Sequence, residues 1–196
     1  MKFVLASHNP GKLREMQAVL GQLGVEVVLQ SELGIAVDVE ENGNTFAENA
    51  RLKAAAVCRA SGLPAIADDS GLCVDALNGG PGVYTARYGG AGLDDAGRYT
   101  LLLHNLRGAS TRKAHFETAI SCVFPDGTEL TAAGRCDGTI AYAPMGNDGF
   151  GYDPVFFVPG LKKTFAQLSA GEKNAISHRG QALRAFGKVL EDYLKR

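Results

Sequence analysis

The sequence lacks three features that would narrow its function at once: an excess of one charge, a long apolar run and closely spaced cysteines. Its 196 residues include 20 Lys and Arg against 21 Asp and Glu, and the basic residues are scattered along the chain. A protein that grips a phosphodiester backbone needs a basic patch or stripe. We therefore expect no nucleic-acid partner.

The longest apolar run near the N-terminus covers only residues 3–6. This run is too short for the core of a signal peptide and far shorter than the roughly 20 apolar residues that span a bilayer. We expect no contact with a membrane and a cytoplasmic location.

The cysteines lack the close spacing that zinc sites and redox motifs require, so we expect reduced thiols in a core. They are Cys58, Cys73, Cys122 and Cys136. The glycines fall in short clusters rather than in a linker, and no repeat is visible. We expect residues 1–196 to form a single domain, with two lobes.

Apolar periodicity predicts an α/β fold with a mixed sheet. Strand-like runs lie at residues 2–6, 25–29, 64–67 and 154–158, and a hairpin is expected within 116–140 around the turn at 125–127. Helices are expected from about residue 13 to Gly24, after a capping box at Thr45 and Glu48 as far as Gly62, over 93–106, and along the stripe Leu183, Phe186, Leu190 and Leu194.

A candidate phosphate site lies between the first strand and the first helix. Free backbone N–H groups and the positive end of a helix favour a phosphate there, and a lysine adds a mobile positive charge. The segment is not a Walker A loop, because Ala6 and Leu13 occupy the positions of the first glycine and the magnesium-binding hydroxyl. An ordinary turn is the alternative. The segment consists of Ser7, His8, Asn9, Pro10, Gly11 and Lys12.

A candidate magnesium site is predicted where the third strand ends. Asp68 and Asp69 follow that strand directly, and Glu40 and Glu41 precede the second helix. Carboxylate oxygens of this kind are the hard ligands that Mg²⁺ prefers. The alternative is that both aspartates are solvated turn residues, since Asp before Ser-Gly is common in turns.

Two segments in the last third of the chain offer ligand contacts. The first begins with a flexible stretch that contains glycine, residues 145–149, followed by an aromatic ring and a carboxylate that would contact a ligand closely. The alternative is that these side chains pack in the core. The second places several hydrogen-bond donors near the start of the last helix; a solvated basic helix end is the alternative. The residues are Phe150, Gly151, Tyr152 and Asp153, and then Lys173, Ser177, His178 and Arg179.

Five segments in one order resemble the RdgB and inosine triphosphate pyrophosphatase family, whose members are Ham1-like. The similarity extends from Lys2 to about Leu183. It implies an elongated α/β fold with a long central sheet, a nucleotide cleft between two lobes, a homodimer and a requirement for Mg²⁺. The segments are 7–12, 67–72, 79–88, 149–156 and 172–179.

The resemblance also implies an activity and residue roles. Members hydrolyse nonstandard purine nucleoside triphosphates such as ITP, dITP and XTP to the monophosphate and pyrophosphate, by attack of water on the α-phosphorus. Carried onto this sequence, residues 7–12 hold the triphosphate and Asp69, beside Ser70, is the catalytic base or a metal-linked carboxylate. Glu40 is favoured as the second metal ligand, with Glu41 and Asp68 as alternatives. The base is surrounded by residues 150–153 and by Lys173, His178 and Arg179.

Two rival functions stay open at this point. One is a triphosphatase that releases orthophosphate from the γ-position, and the other is a sensor that binds purine nucleotides without hydrolysing them. Carboxylates beside a phosphate loop argue against the sensor, because they repel a polyphosphate unless a metal intervenes. They do not exclude attack at the γ-phosphorus.

Overall fold

The fold was obtained as a computed structural model that describes residues 1–195. The strands are β1 Lys2–Leu5, β2 Glu26–Leu29, β3 Ala65–Val74, β4 Lys113–Val123, β5 Glu129–Ile140, β6 Phe156–Val158 and β7 Lys163–Thr164. The helices are α1 Pro10–Leu20, α2 Phe46–Ser61, α3 Asp95–Asn105, α4 Ala170–Ile176 and α5 His178–Leu194.

The seven strands form one mixed sheet in the order β2-β1-β3-β4-β5-β6-β7. Strand β1 pairs in parallel with β2 and β3, whereas β6 pairs antiparallel with β5 and β7. The predicted α/β class and mixed sheet are confirmed. Contacts divide the chain into two compact units, and each is described separately below.

The first unit contains residues 1–69, 118–134 and 181–195, and strand alternation divides its core between two faces. Phe3 and Leu5 of β1 are buried in a cluster that includes Met16 of α1 and Phe186 of α5. Val4, between them, belongs to a smaller cluster with Val57 and Cys58 of α2. Helices α1 and α5 therefore cover one face of the strand, and α2 covers the other.

The second unit contains residues 70–117 and 135–180 and has an aromatic core. The ring centroid of Phe156 lies 4.7 Å from those of Phe116 and Phe165. The rings of Phe116 and Phe165 stack at 5.8 Å. Aromatic pairs at such distances add about 0.5–1.5 kcal/mol beyond the area that they bury. This cluster forms a rigid support next to the start of α5.

The predicted helix ends are confirmed at several points. A short 3-10 turn extends α1 to Gly24, whose φ of 69° is left-handed, and Gly62 ends α2 with a φ of 67°. At the start of α2, the Thr45 hydroxyl accepts the Glu48 N–H at 3.1 Å. The Glu48 carboxylate accepts the N–H of Asn44 at 2.6 Å. In a capping box it would accept the N–H of Thr45, so this second hydrogen bond is shifted by one residue.

Strand β3 differs most from the sequence-based prediction, which ended it at Ala67. The strand continues through Asp68, Asp69 and Ser70 to Val74. It lies inside the sheet between β1 and β4, and backbone pairing there overrides the local turn preference of Asp-Ser-Gly. The two aspartates are therefore strand residues and not turn residues.

Helix α4 and strand β7 were not predicted, because seven and two residues are too short to display a periodicity. The N-terminus of α4 has a clear sequence signal nonetheless, since Ser169 and Glu172 form a capping box. Within residues 1–195, no helix has both the length and the hydropathy needed to cross a membrane.

Two helical glycines give a test of how α4 and α5 pack. A Cβ on Gly180 would lie 2.0 Å from the backbone oxygen of Asn174, whereas a Cβ on Gly171 would meet nothing within 4 Å. We expect Gly180→Ala to lower the free energy of unfolding by about 1–3 kcal/mol, because the first turn of α5 must move away from α4. Gly171→Ala should raise it by up to about 1 kcal/mol, because alanine favours the helix. Urea unfolding of both variants measures the change in the free energy of unfolding. Equal changes in the two variants would contradict this packing.

Candidate active site

The Asp69 carboxylate lies on the face of β3 that α2 covers. Ala65, four residues earlier on the same face, packs with residues of α2. The Asn49 side-chain amide donates to Asp69 Oδ2 at 3.1 Å, and Lys53 Nζ lies 3.4 Å from Asp69 Oδ1. Asn49 is fully buried, and only 14% of the Asp69 side chain is exposed. Helix α2 thus provides a neutral donor and a cation to one largely buried anion.

Lys53 joins Asp69 to a second carboxylate. Its ammonium group lies 2.6 Å from Glu41 Oε1. We call Asp69, Lys53, Glu41 and Asn49 the carboxylate cluster. One cation therefore contacts two carboxylates at a largely buried position.

The electrostatics of this cluster shift two pKa values. Burial by itself would lower the pKa of Lys53, but the charge of Asp69 and the hydrogen bond and charge of Glu41 outweigh it, so the pKa is raised. For Asp69, burial raises the pKa, Lys53 and Asn49 oppose the rise, and the charge of Glu41 adds to it. The net direction for the pKa of Asp69 is upward, which makes its carboxylate a stronger base than an exposed aspartate.

Asp68 lies on the opposite face of β3. Its neighbour at i−2, Ile66, belongs to the cluster covered by α1 and α5. Lys12 Nζ lies 2.9 Å from Asp68 Oδ2, and the Asp68 side chain is 2% exposed. Successive strand residues point to opposite faces, so Asp68 and Asp69 have different partners, and a metal position shared by the two adjacent carboxylates stays a prediction. Lys12 is an ion-paired cation and not the mobile charge that was expected.

The N-terminus of α1 also differs from its prediction. Asn9 Oδ1 accepts the N–H groups of Gly11 at 2.8 Å and Lys12 at 3.4 Å, and Ser7 Oγ accepts the Asn9 N–H at 3.1 Å. Pro10 contributes no N–H. The expected free amides are thus engaged by short capping side chains, as asparagine prefers at an N-cap.

Among the remaining residues of the predicted phosphate and metal sites, His8, Glu40 and Glu41 belong to the first unit, and Ser70 is the first residue of the second. His8 is exposed, with its Nε2 3.2 Å from Gln30 Nε2. Glu40 is exposed, whereas Glu41 is half-buried in the carboxylate cluster, so the geometry favours Glu41 over Glu40 as the second carboxylate. Ser70 follows Asp69 in β3 and is half-buried.

In the second unit, an exposed ring lies beside two cations. Phe150 is 62% exposed, and its ring centroid is 4.8 Å from Lys173 Nζ and 5.9 Å from Arg179 Cζ. Asp153 is buried, and its Oδ2 accepts the Phe150 N–H at 2.9 Å and Lys173 Nζ at 2.5 Å. We call Phe150, Asp153, Lys173 and Arg179 the aromatic-cation cluster. The Asp153 carboxylate connects the Phe150 backbone to Lys173, and its predicted contact with a ligand stays a prediction.

Three other predicted ligand residues are buried. The His178 ring stacks on Phe116, with centroids 4.7 Å apart and planes 12° apart. The Ser177 hydroxyl accepts the Gly180 N–H at 3.1 Å. The Tyr152 hydroxyl donates to the Thr85 carbonyl at 3.0 Å, and burial raises the pKa of Tyr152. Of the residues predicted to surround a base in these two segments, Phe150 is the most exposed.

Sequence reasoning missed Asn49 and Lys53, although the sequence contains a signal for both. They are four residues apart in α2, at the spacing that continues its buried stripe of Phe46, Ala50 and Val57. A polar residue in an apolar stripe requires a buried partner. That partner is the Asp69 carboxylate.

The chain is similar to known proteins over nearly its whole length. The chain is 46% identical over 195 residues to a dITP/XTP pyrophosphatase of an Exiguobacterium species, with 100% of both chains covered. It is 48% identical to the dITP/XTP pyrophosphatase of Streptomyces avermitilis, with 98% of each covered. The solved structure of a HAM1 protein from Coxiella burnetii has a TM-score of 0.94 and 45% identity, covering 98% of this chain and 99% of that one. The family model described as the Ham1 family matches residues 3–189, and the chain belongs to that family.

Proposed function

We propose that this protein hydrolyses nonstandard purine nucleoside triphosphates, such as dITP, ITP and XTP, to the monophosphate and pyrophosphate. The observation that carries the proposal is the carboxylate cluster, in which a largely buried Asp69 is held by Asn49 and Lys53. The names of the full-length relatives support the substrate class.

Asp69 is proposed as the group that positions the attacking water and accepts its proton. Its raised pKa increases its basicity, and its two donors from α2 fix the carboxylate in one orientation. Water then attacks the α-phosphorus in line with the leaving pyrophosphate. A positioned base of this kind typically contributes about 10²- to 10⁴-fold in rate.

Mg²⁺ is proposed as the cofactor, and the residues present fit it. Mg²⁺ usually takes one or two protein carboxylates, with waters and substrate phosphates as its other ligands. Asp69 and Glu41 provide two carboxylates that contact one cation, the Lys53 ammonium. In the described residues 1–195, no group of three or more His, Cys, Asp or Glu side chains is placed to hold a metal. When bound, Mg²⁺ neutralises charge on the polyphosphate.

The remaining residues are assigned by the chemistry that they present. Ser7, Asn9 and Lys12, at the start of α1, offer a hydroxyl, an amide and an ammonium group to the phosphates. Phe150 offers an exposed ring on which a purine stacks, and Arg179 offers donors to its carbonyl oxygen. Assembly as a homodimer and a cytoplasmic location remain predictions.

The products of ITP hydrolysis test the proposed reaction. We expect IMP and pyrophosphate, because attack at the α-phosphorus makes the whole pyrophosphate the leaving group. Anion-exchange chromatography of a reaction with ITP and Mg²⁺ resolves them from the alternative products. IDP and orthophosphate would establish the γ-triphosphatase instead, and binding without turnover would establish the sensor.

The second metal carboxylate is tested by a pair of adjacent variants. We expect Glu41→Gln to raise the Mg²⁺ concentration that gives half-maximal activity by about tenfold or more, because the neutral amide is a weaker ligand. Glu40→Gln, the matched control, should leave this concentration nearly unchanged, since Glu40 is exposed. Measuring activity as a function of Mg²⁺ concentration compares the two variants. A larger effect of Glu40→Gln than of Glu41→Gln would identify Glu40 as the metal ligand instead.

The pKa of Asp69 is expected to respond to its charged neighbours with opposite signs. Lys53→Met removes a positive charge that favours the carboxylate, so the pKa should rise further above its ordinary value. Glu41→Gln removes a negative charge that disfavours it, so the pKa should fall. The active carboxylate is therefore lost at a higher pH in Lys53→Met and at a lower pH in Glu41→Gln. Carbon-13 NMR of the metal-free protein follows this titration, with Asp69→Asn identifying the signal. Shifts of one sign in both variants would contradict the cluster.

A further inference from the structure

One long-range hydrogen bond serves none of the roles assigned above: the N–H of Gly151 donates to Asp95 Oδ2 at 2.7 Å, across 56 residues of sequence. Asp95 is the first residue of α3 and is exposed. Gly151 directly follows Phe150, the exposed ring of the aromatic-cation cluster. The contact therefore connects a separate helix to the segment that presents this ring.

We propose that Asp95 is a positioning residue that clamps the segment 149–152, here called the ring loop, and so orients Phe150 for the substrate base. The proposal rests on the proposed function, because it concerns the same ligand contact. Asp95 does not touch the substrate; it acts through the backbone of Gly151.

The ring loop needs such a clamp because its own backbone is permissive. Gly149 and Gly151 have φ values of 83° and 60°, in the left-handed region that glycine adopts readily but at a large cost in conformational entropy. Phe150, between them, is 62% exposed and gains little from packing. Fixed hydrogen bonds from other elements restrict the loop before a ligand arrives, which reduces the ordering cost of binding.

Helix α3 is itself well anchored and can act as a fixed point. Asp94 caps it by accepting the Gly97 N–H at 2.7 Å. Arg98 donates through Nε to the Ala86 carbonyl at 2.9 Å. The neighbouring carbonyl, that of Thr85, accepts the Tyr152 hydroxyl. The ring loop is thus held at Gly151 by α3 and at Tyr152 by the segment that α3 also holds.

A purely structural role for Asp95 makes a different prediction. An acidic residue in the first turn also stabilises a helix through its dipole. If that were its only role, removing the charge of Asp95 or that of the N-cap Asp94 would have the same effect. Asp94→Asn removes the adjacent charge while keeping a good N-cap and leaves the Gly151 contact in place, so it is a matched control.

The experiment measures the loop and the kinetics in Asp95→Ala, Asp95→Asn and Asp94→Asn. Amide hydrogen exchange by NMR reports the Gly151 N–H directly. The chain contains no Trp, so Phe150→Trp provides a single indole fluorophore whose anisotropy reports loop motion in each background. We expect Asp95→Ala to speed Gly151 exchange by about tenfold, the size of one hydrogen bond to a charged acceptor, and to lower the anisotropy of this introduced fluorophore.

In the kinetics with ITP, Asp95→Ala should raise KM by about three- to tenfold and change kcat by less than about twofold. The reason is that the variant loses the orientation of Phe150 for substrate binding and no group that takes part in the chemical step. Asp95→Asn, whose amide oxygen still accepts, should restore much of both readouts, and Asp94→Asn should resemble the wild type. Unchanged Gly151 exchange in Asp95→Ala, or an equal rise of KM in Asp94→Asn, would overturn the clamp. Absence of ITP hydrolysis by the wild type would instead overturn the proposed function, and the exchange and anisotropy measurements would still decide whether Asp95 holds the loop.

Discussion

One largely buried carboxylate, that of Asp69, sets the main constraint on the first unit. An ionised group that is removed from water must be paired and hydrogen-bonded or it becomes neutral. Helix α2 satisfies this requirement with the Asn49 amide and the Lys53 ammonium, placed one helical turn apart on its buried stripe. Burial strengthens Asp69 as a base, while Lys53 limits how far its pKa rises. The same contacts that let α2 pack against β3 therefore also set the orientation and basicity of this carboxylate.

The alternation of β3 gives its two adjacent aspartates different environments. Asp68 is paired with Lys12 of α1 on one face, and Asp69 with Lys53 of α2 on the other. This separation exists only because the strand continues past Ala67, which in turn depends on its place between β1 and β4. Two carboxylates that are neighbours in sequence consequently serve different partners. One pairs with a cation at the start of α1, and the other pairs with a cation of α2.

Much of the fold could be predicted from the sequence because its signals are local. Gly24, Gly62 and Thr45 mark helix ends through their own backbone or side-chain preferences. The length of β3 could not be predicted, because it depends on pairing with strands distant in sequence. The same limit applies to the site: the motif residues Asp69 and Gly151 were found, whereas their partners Lys53 and Asp95 lie 16 and 56 residues away and became visible only through contacts.

The central claim is that Asp69 directs water to the α-phosphorus of a purine nucleoside triphosphate. Formation of monophosphate and pyrophosphate alone does not identify the phosphorus attacked, because attack at the β-phosphorus gives the same two products. Hydrolysis of ITP in water enriched in oxygen-18, followed by mass spectrometry of both products, separates these routes. The account predicts that the label enters the phosphate of IMP and not the pyrophosphate. Label in the pyrophosphate would contradict it.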